Sequence, residues 1–219
     1  MIVRLSGCLI LLSLLVGVLH TGCTDGREQI KDQSSPRLLL SKYRTAGIEG
    51  NRKRFLECFH GSPGQALGVA RAQFDFVQAV YKFYDVLEKA FGPDAVSRYN
   101  ETKLPEGVSW TFGVPTREKP AWADEADVHQ EGVRATAIVV MSNGSRTQFD
   151  MSQTDGIWRI DLGQYAVAYE DLVKAYAAMQ GPIAAATKAI KEGKVADVTA
   201  AMAAVAENYG STDASHQNP

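Results

Sequence analysis

The chain has 219 residues, of which 45% are hydrophobic and 22% charged, a composition that suits a globular protein with one well-buried core or two small ones. A formal net charge of −2 and a sequence pI near 6.1 argue against a nucleic-acid binder, because such proteins gather an excess of Lys and Arg on one face. The basic run at residues 51–54 (NRKR) is short, and we interpret it as a solvated helix face.

Residues 1–22 have the three parts of an export signal peptide. Arg4 supplies the positive charge, residues 9–19 form an apolar run too short to span a membrane, and small residues end the segment just before Cys23. This arrangement resembles a bacterial lipoprotein signal, which implies cleavage before Cys23 and a lipid on that cysteine that anchors the protein in a membrane of the cell envelope. Ordinary signal-peptidase cleavage, which would release a secreted or periplasmic protein, is the alternative.

A polar tether and two short helices are predicted next. Residues 23–35 are polar and lack a hydrophobic period, as expected of a tether between a membrane and a domain. Ser35 followed by Pro36 combines a capping residue with a proline suited to the first helical position, so a helix is predicted to begin there. Asn51 can cap a second, shorter helix.

Residues 62–93 are predicted to form one long helix with both of its ends encoded. Ser62 and Gln65 can form a capping box around the first turn, and Gly92 followed by Pro93 ends the helix. Two neighbouring apolar stripes run along it, one with Ala70, Phe74, Val77, Tyr81, Tyr84 and Phe91 and the other with Val69, Phe76, Val80, Phe83 and Leu87. A helix that is apolar over so wide an arc must be covered on two sides, so we expect it to be the central helix of a compact domain.

An irregular segment and an antiparallel meander are predicted after the long helix. Residues 99–124 are rich in Pro and Gly and are expected to hold one irregular strand and a loop over the core. Strands are predicted at residues 133–141, 146–153 and 157–162, with a short extra strand at 127–130. Asn143-Gly144 and Asp155-Gly156 supply the turns, because these residue types tolerate positive φ. Alternation predicts a buried face with Phe149, Met151, Trp158, Ile160 and Leu162.

The C-terminal segment at residues 163–210 is alanine-rich and is predicted to be a helical extension. A first apolar stripe is expected to be broken at Gly181-Pro182 and to continue as far as Gly193. Its members are Tyr165, Tyr169, Leu172, Tyr176, Met179, Ile183, Ala186 and Ile190. A last amphipathic helix would bury Val198, Met202, Val205 and Tyr209. Residues 211–219 are expected to be a disordered tail.

Helices followed by an antiparallel sheet indicate an α+β fold. With Gly50-Asn51 after an early helix and residues 155–160 (DGIWRI) in the last strand, the chain resembles the small extracytoplasmic NTF2-like, cone-shaped domains of bacterial lipoproteins. The resemblance covers residues 36–162 and implies a long helix packed on a curved sheet. The cone interior would be lined by Phe74, Tyr81, Trp158 and Tyr169. It would either hold a small apolar ligand or be filled by the protein's own side chains.

No phosphate loop, dinucleotide fingerprint, nucleophile elbow or metal-ligand spacing is present in the sequence, so no cofactor and no metal site is predicted. Cys58 and His60 would point in different directions on a helix, and we interpret Cys58 as a core residue and His129 as part of a solvated strand edge. Some NTF2-like enzymes resemble ketosteroid isomerase. That resemblance would make a pocket carboxylate the base, with Asp75, Asp150, Tyr81 and Tyr84 as the candidate residues.

We expect an exported, lipid-anchored envelope protein that acts as a non-catalytic binding or interaction module, and we assign no catalytic residue. Two alternatives stay open. One is a small-molecule enzyme of the NTF2-like type that uses a pocket carboxylate such as Asp75. The other is an assembly protein that pairs with an envelope protein partner through its C-terminal helices.

Overall fold

The computed structural model describes residues 32–60, 64–105, 107, 111–117, 119–163 and 168–214. The predicted signal peptide, the predicted lipidation site Cys23, the predicted Ser62 cap and Tyr165 lie outside these residues. The fold is α+β, as predicted. In the described part it has six helices, which are α1 (Pro36–Ile48), α2 (Arg52–Leu56), α3 (Gly64–Phe91), α4 (Ala95–Glu101), α5 (Tyr169–Lys191) and α6 (Val198–Ala214). Its sheet has four strands, which are β1 (Asp127–Glu131), β2 (Arg134–Val140), β3 (Arg146–Thr154) and β4 (Ile157–Ile160).

The two N-terminal helix caps form as the sequence predicts. The Ser35 hydroxyl accepts a hydrogen bond from the Leu38 backbone N–H at 3.3 Å, and Pro36 occupies the first turn of α1. The Asn51 side chain accepts one from the Arg54 N–H at 3.1 Å at the start of α2. Each cap satisfies a backbone donor that a helix end otherwise leaves unpaired.

The long helix α3 is central and is covered on two sides. Gly92, with φ of +97°, ends it at the predicted place. Toward its beginning, Ala70 and Phe74 pack with α1 and the sheet. Its second half packs with α5 and α6 through a set of buried side chains on all three helices, namely Val77, Val80, Phe83, Leu87, Ile183, Ala186, Ile190, Met202 and Val205. The C-terminal extension is therefore an integral layer of the fold.

The sheet is an antiparallel meander in the order β1-β2-β3-β4. Phe149, Met151, Trp158 and Ile160 are buried, as the alternation predicts, whereas Leu162 lies beyond the end of β4 and is only partly buried. Asp155 and Gly156 both have positive φ, of 53° and 78°, which suits the tight turn between β3 and β4.

The turn of the β2–β3 hairpin has a different backbone conformation from the one predicted. Only Gly144 of the Asn143-Gly144 pair has a positive φ, at 78°. Asn143 contributes through its side chain, whose oxygen accepts hydrogen bonds from the Ser145 N–H at 3.1 Å and from the Ser145 hydroxyl at 2.7 Å. Asn acts here by bonding to nearby groups of the turn, so the hairpin was predicted correctly and its turn type was not.

Residues 99–124 differ from the prediction. The short helix α4 contains the buried Tyr99, and no strand occurs among the described residues between α4 and β1. Phe112 and Val114 pack their side chains into the core formed with α3, and a 3-10 turn at Pro120–Ala123 buries Trp122. The Ser142 N–H donates to the Val114 carbonyl oxygen at 2.8 Å and the Ser142 hydroxyl donates to the Phe112 carbonyl oxygen at 3.0 Å, so hydrogen bonds from one residue of the hairpin loop hold this segment.

The predicted break at Gly181-Pro182 and the predicted start of the tail at residue 211 are both wrong. Helix α5 continues through Pro182, and α6 continues to Ala214. Proline removes one intrahelical hydrogen bond, but the apolar stripe lies on both sides of Pro182 and packs on α3, so tertiary burial outweighs that loss.

The domain also begins earlier than predicted. Gln33, placed in the polar tether, is fully buried. Its side-chain amide donates to the Trp158 carbonyl oxygen at 2.8 Å, and its own carbonyl oxygen accepts from the Trp158 N–H at 2.8 Å. Gln33 thus pairs with the free edge of β4, so this residue of the predicted tether is part of the fold.

Candidate functional site

The four predicted pocket residues lie in three separate clusters. Phe74 and Trp158 belong to the cluster between α1, α2 and the sheet, Tyr81 to the cluster between α3, α5 and α6, and Tyr169 to a small one at the start of α5. The structure therefore does not bring the four together. In the first cluster, ring centroids lie 5.2 Å apart for Phe55 and Phe74, so this region is filled by the protein's own side chains.

A small cleft near the beginning of the long helix is lined by none of the four predicted pocket residues. It measures about 190 Å³ and lies between α3, β3 and α5, with Phe59, Val69, Gln73, Phe149, Ile160, Leu172 and Tyr176 among its lining residues. Ligand sites usually enclose about 300–1,000 Å³. This cleft is therefore too small to be the main candidate site.

A larger cavity of about 490 Å³ lies at the other end of the long helix. We call it the tyrosine cavity. Its walls come from the second half of α3, from α4, from the loop at residues 115–117 and from the β2–β3 hairpin loop. Its lining residues are Tyr81, Tyr84, Glu88, Val96, Ser97, Asn100, Glu101, Pro115, Thr116, Arg117, Ser142 and Asn143. Of the predicted pocket residues, only Tyr81 is among them.

The two tyrosines of the cavity are held in place by hydrogen bonds. The Tyr81 hydroxyl donates to the Pro115 carbonyl oxygen at 2.6 Å, and the Tyr84 hydroxyl donates to Asn100 Oδ1 at 3.3 Å. Asn100 in turn donates from Nδ2 to the Ser142 carbonyl oxygen at 3.1 Å, which links α3, α4 and the hairpin loop. Burial raises the pKa of Tyr84 to about 12 and raises that of Tyr81 as well, so both hydroxyls keep their protons at neutral pH.

The loop that forms one wall of the cavity is held by two arginines. Arg44 of α1 donates from Nε to the Thr116 carbonyl oxygen at 2.8 Å and from a terminal nitrogen to the Arg117 carbonyl oxygen at 2.9 Å. The Arg117 guanidinium lies 4.3 Å from the Tyr81 ring centroid and pairs with Asp85. Because these contacts fix both the backbone and a side chain of the loop, the cavity is pre-formed.

The carboxylates considered for acid–base chemistry lie elsewhere. Asp75 is 45% exposed and pairs with Arg52 at 3.1 Å on the protein surface. Asp150 accepts hydrogen bonds from the Thr136 hydroxyl at 3.2 Å and from the Gln148 amide at 3.0 Å on the outer face of the sheet. The two tyrosines and the two aspartates therefore do not form one site.

The Cys58 thiol and the His60 imidazole do not pair. Cys58 is fully buried, its sulfur lies 3.4 Å from the Arg54 carbonyl oxygen, and burial raises the pKa of its thiol to about 12. His60 instead contacts Ser152, with 2.6 Å between Nε2 and Oγ. His129 pairs with Glu131 at 3.0 Å and is highly exposed, so it belongs to a solvated strand edge as predicted.

The contact between His60 and Ser152 was missed by the sequence reasoning. The two residues meet because Phe59 forms an isolated parallel bridge with Ile160 at the edge of β4, and no sequence pattern indicates such a bridge. The Ser152 hydroxyl also lies 3.5 Å from Asp161 Oδ2. A catalytic triad places its carboxylate on the other nitrogen of the imidazole, whereas this carboxylate contacts the serine. The arrangement is therefore a polar chain on the outer face of the sheet.

No helix in the described residues combines the length and the apolar character needed to cross a membrane. Across the same ranges, no three His, Cys, Asp or Glu side chains are grouped so that they could hold a metal ion. In comparisons with known proteins, the chain matches no family model, no curated protein and no solved structure.

Proposed function

We propose that this protein is an exported, lipid-anchored component of the cell envelope whose α+β domain binds a small molecule in the tyrosine cavity without transforming it. The observation that carries the proposal is the cavity itself. Its volume of about 490 Å³ lies within the usual range for ligand sites, and its walls are tied together by Tyr81, Tyr84, Asn100 and Arg44. A pre-formed site loses little conformational entropy when a ligand enters it.

The lining of the cavity indicates the kind of ligand. Aromatic rings and Val96 offer apolar contact, while Ser97, Thr116 and the Asn100 amide offer polar contact. Such a mixture favours a small molecule with both an apolar part and hydrogen-bonding groups, which is more polar than the ligand expected from the sequence. The tyrosine hydroxyls already donate to protein oxygens, which suits them to shaping the site rather than to proton transfer.

The NTF2-like relationship is part of this proposal. A long helix packed beside a four-stranded antiparallel meander supports it, as does the DGIWRI segment, which forms the last turn and strand of the sheet. The alternative of assembly through the C-terminal helices has less support. The apolar faces of α5 and α6 are occupied within the chain, because Ile183, Met202 and Val205 are fully buried against other helices.

Substituting tryptophan for Glu88 tests the cavity. Glu88 lines the cavity, whereas its neighbour Lys89 is an exposed residue of the same helix turn outside it. In a ligand-observed NMR screen of amino acids, nucleosides and small sugars, compounds that bind the wild type are expected to lose their signal changes with Glu88→Trp, because the indole fills the cavity. They should keep those changes with Lys89→Trp. Binding that survives Glu88→Trp unchanged would show that the ligand sits elsewhere.

Lipidation is tested separately, at Cys23. The wild-type protein, expressed in a bacterial host, is expected to partition into the detergent phase, because each buried methylene of a lipid chain contributes about 0.8 kcal/mol. Cys23→Ser should move the protein to the aqueous phase or leave its signal uncleaved. Cys58→Ala, which changes a fully buried cysteine, should leave partitioning unaltered. Mass spectrometry of a wild-type protein that is soluble and carries no lipid would refute the anchor.

A further inference from the structure

A second concave site lies between α3 and α5, on a different face from the tyrosine cavity. We call it the lysine groove. It is an open groove of about 500 Å³ lined by Gln78, Ala79, Lys82, Gln180, Ile183, Ala184, Thr187, Lys188 and Lys191. The lining from α5 follows helical spacing along a single face. Its floor is predominantly apolar, and no residue in the lining is acidic.

The two helices that form the groove run in the same direction. Near their beginnings Ala66 packs with Tyr169, and further along the rings of Phe76 and Tyr176 lie 5.4 Å apart. Residues that come later in both helices therefore lie at the same end of the groove. Lys82, Lys188 and Lys191 lie toward this later end, whereas Ala79 and Ala184 lie between them and the glutamines.

Two polar groups of the floor are already hydrogen-bonded within the protein. The Thr187 hydroxyl donates to the Ile183 carbonyl oxygen at 2.7 Å, and the Gln78 amide donates to the Gly47 carbonyl oxygen at 2.6 Å. The floor therefore presents mainly methyl and methylene groups to whatever occupies it. Such a surface favours an alkyl chain over a polar molecule.

The charges at the lysine end are largely uncompensated. In the described part of the chain, Lys82 and Lys191 make no ion pair, and Lys188 has only a long contact of 3.8 Å with Glu192. Asp85, the acid one turn after Lys82, pairs with Arg117 on the side of the tyrosine cavity. Ammonium groups around the end of an apolar channel are complementary to an anion attached to an alkyl chain.

We propose that the lysine groove binds a medium-chain fatty acid, with its carboxylate among Lys82, Lys188 and Lys191 and its alkyl chain along Ala79 and Ala184. A fatty acid contacts both the apolar floor and the lysines of the groove. A neutral hydrocarbon would leave the lysines unused, and a small anion would leave the apolar floor unused. The site and its ligand are independent of the tyrosine cavity.

Calorimetric titration of the full chain with laurate, below its micelle concentration, tests the proposal. Laurate is expected to bind with one-to-one stoichiometry, whereas acetate, which has the carboxylate without the chain, should not bind measurably. The double variant Lys82→Glu with Lys191→Glu should weaken laurate binding at least tenfold, because it replaces attraction of the carboxylate by repulsion. Ala184→Trp, which fills the exposed side of the groove, should weaken it similarly.

The matched control is Lys89→Glu with Lys174→Glu. It makes the same change in net charge on the same two helices at exposed positions outside the groove, so laurate binding should stay within twofold of the wild type. Equal weakening by both double variants would overturn the proposal in favour of a general charge effect. Acetate binding as tight as laurate would overturn it in favour of a plain anion site. Binding to phosphatidylglycerol vesicles without binding of monomeric laurate would overturn it in favour of a membrane-contact surface.

Discussion

Trp158→Ala is expected to lower the free energy of unfolding by about 3–5 kcal/mol, the usual cost of truncating a fully buried large aromatic side chain. Trp158 is 1% exposed and lies in the cluster formed by α1, α2 and the sheet. Strand β4 packs on α1, and the long helix adds only Ala70 and Phe74 to that cluster, so the cavity left by the substitution would open beneath the first helix.

The position of Trp158 makes relaxation around such a cavity difficult. Its backbone N–H and carbonyl oxygen are both bonded to Gln33, and on the other side Trp158 lies opposite Gln153 of β3 in the register of the sheet. The backbone therefore cannot easily move inward to fill the lost volume, which places the expected cost toward the upper part of the range.

Urea denaturation of the full chain measures this effect as a fall in the midpoint at a similar slope. Val140→Ala is the control, because Val140 is an apolar residue of the same sheet that is 53% exposed, and its truncation should change stability by less than about 0.5 kcal/mol. If Trp158→Ala left the midpoint at the wild-type value, Trp158 would contribute little to the core.

Local signals predicted the elements of the fold well. The caps at Ser35 and Asn51 and the turn at Asp155-Gly156 depend on a few neighbouring residues, so the sequence alone identifies them. The long helix was predicted for a related reason, because its two apolar stripes need only helical periodicity and a glycine at the end. Each of these features depends on residues that lie close together in the sequence.

The errors arose where distant contacts outweigh local preference. Pro182 was predicted to break a helix, and it does remove a hydrogen bond, but burial of the neighbouring Ile183 and Ala186 against α3 holds α5 together. Gln33 was assigned to a tether because its neighbours are polar. Its burial depends on Trp158, which lies 125 residues away in the sequence.

The candidate sites were predictable only in part, for the same reason. Tyr81 was identified because it lies on an apolar stripe of the long helix. Asn100 joins it from the short helix α4, and Arg117 and Ser142 join it from loops whose paths have no periodic signal. The lysine groove could have been suspected from Lys188 and Lys191, which follow the face of Ile183 and Ala184 at helical spacing. Lys82 required the packing of α3 on α5, which sequence patterns do not reveal.

Lys42→Ala is expected to cost about 3 kcal/mol, at the lower end of the range for breaking a buried ion pair. Lys42 has a side chain that is only 3% exposed, and its ammonium donates to Glu57 Oε2 and to Gln33 Oε1, both at 2.9 Å. The substitution removes the only ammonium in this cluster of three and leaves the carboxylate and an amide oxygen facing each other. The partial exposure of Glu57, at 26%, lets water recover some of the loss and keeps the expected value from being larger.

A double variant separates the charge effect from lost packing. Lys42→Met with Glu57→Leu removes both charges and keeps most of the apolar volume, so it should be less destabilised than the sum of the two single substitutions by about 0.5–3 kcal/mol. Lys119→Ala breaks a surface pair in which both side chains are about 60% exposed, and it should cost less than about 1 kcal/mol. Urea denaturation midpoints of these variants measure the contribution of the buried ion pair to stability. A loss of stability in Lys42→Ala as small as that in Lys119→Ala would show that the buried pair contributes no more than a surface pair.

The same variants report on the N-terminal boundary of the domain. Gln33 joins Lys42 and Glu57 to the edge of β4, so loss of the ammonium should also loosen the pairing of Gln33 with Trp158. Amide exchange of the Trp158 N–H is then expected to rise in Lys42→Ala by more than the change in global stability requires. The opposite outcome is that exchange of this amide rises only as much as the loss of global stability requires. Gln33 would then be held by its backbone pairing and by Glu57 alone, and Lys42 would stabilise α1 and α2 rather than the edge of the sheet.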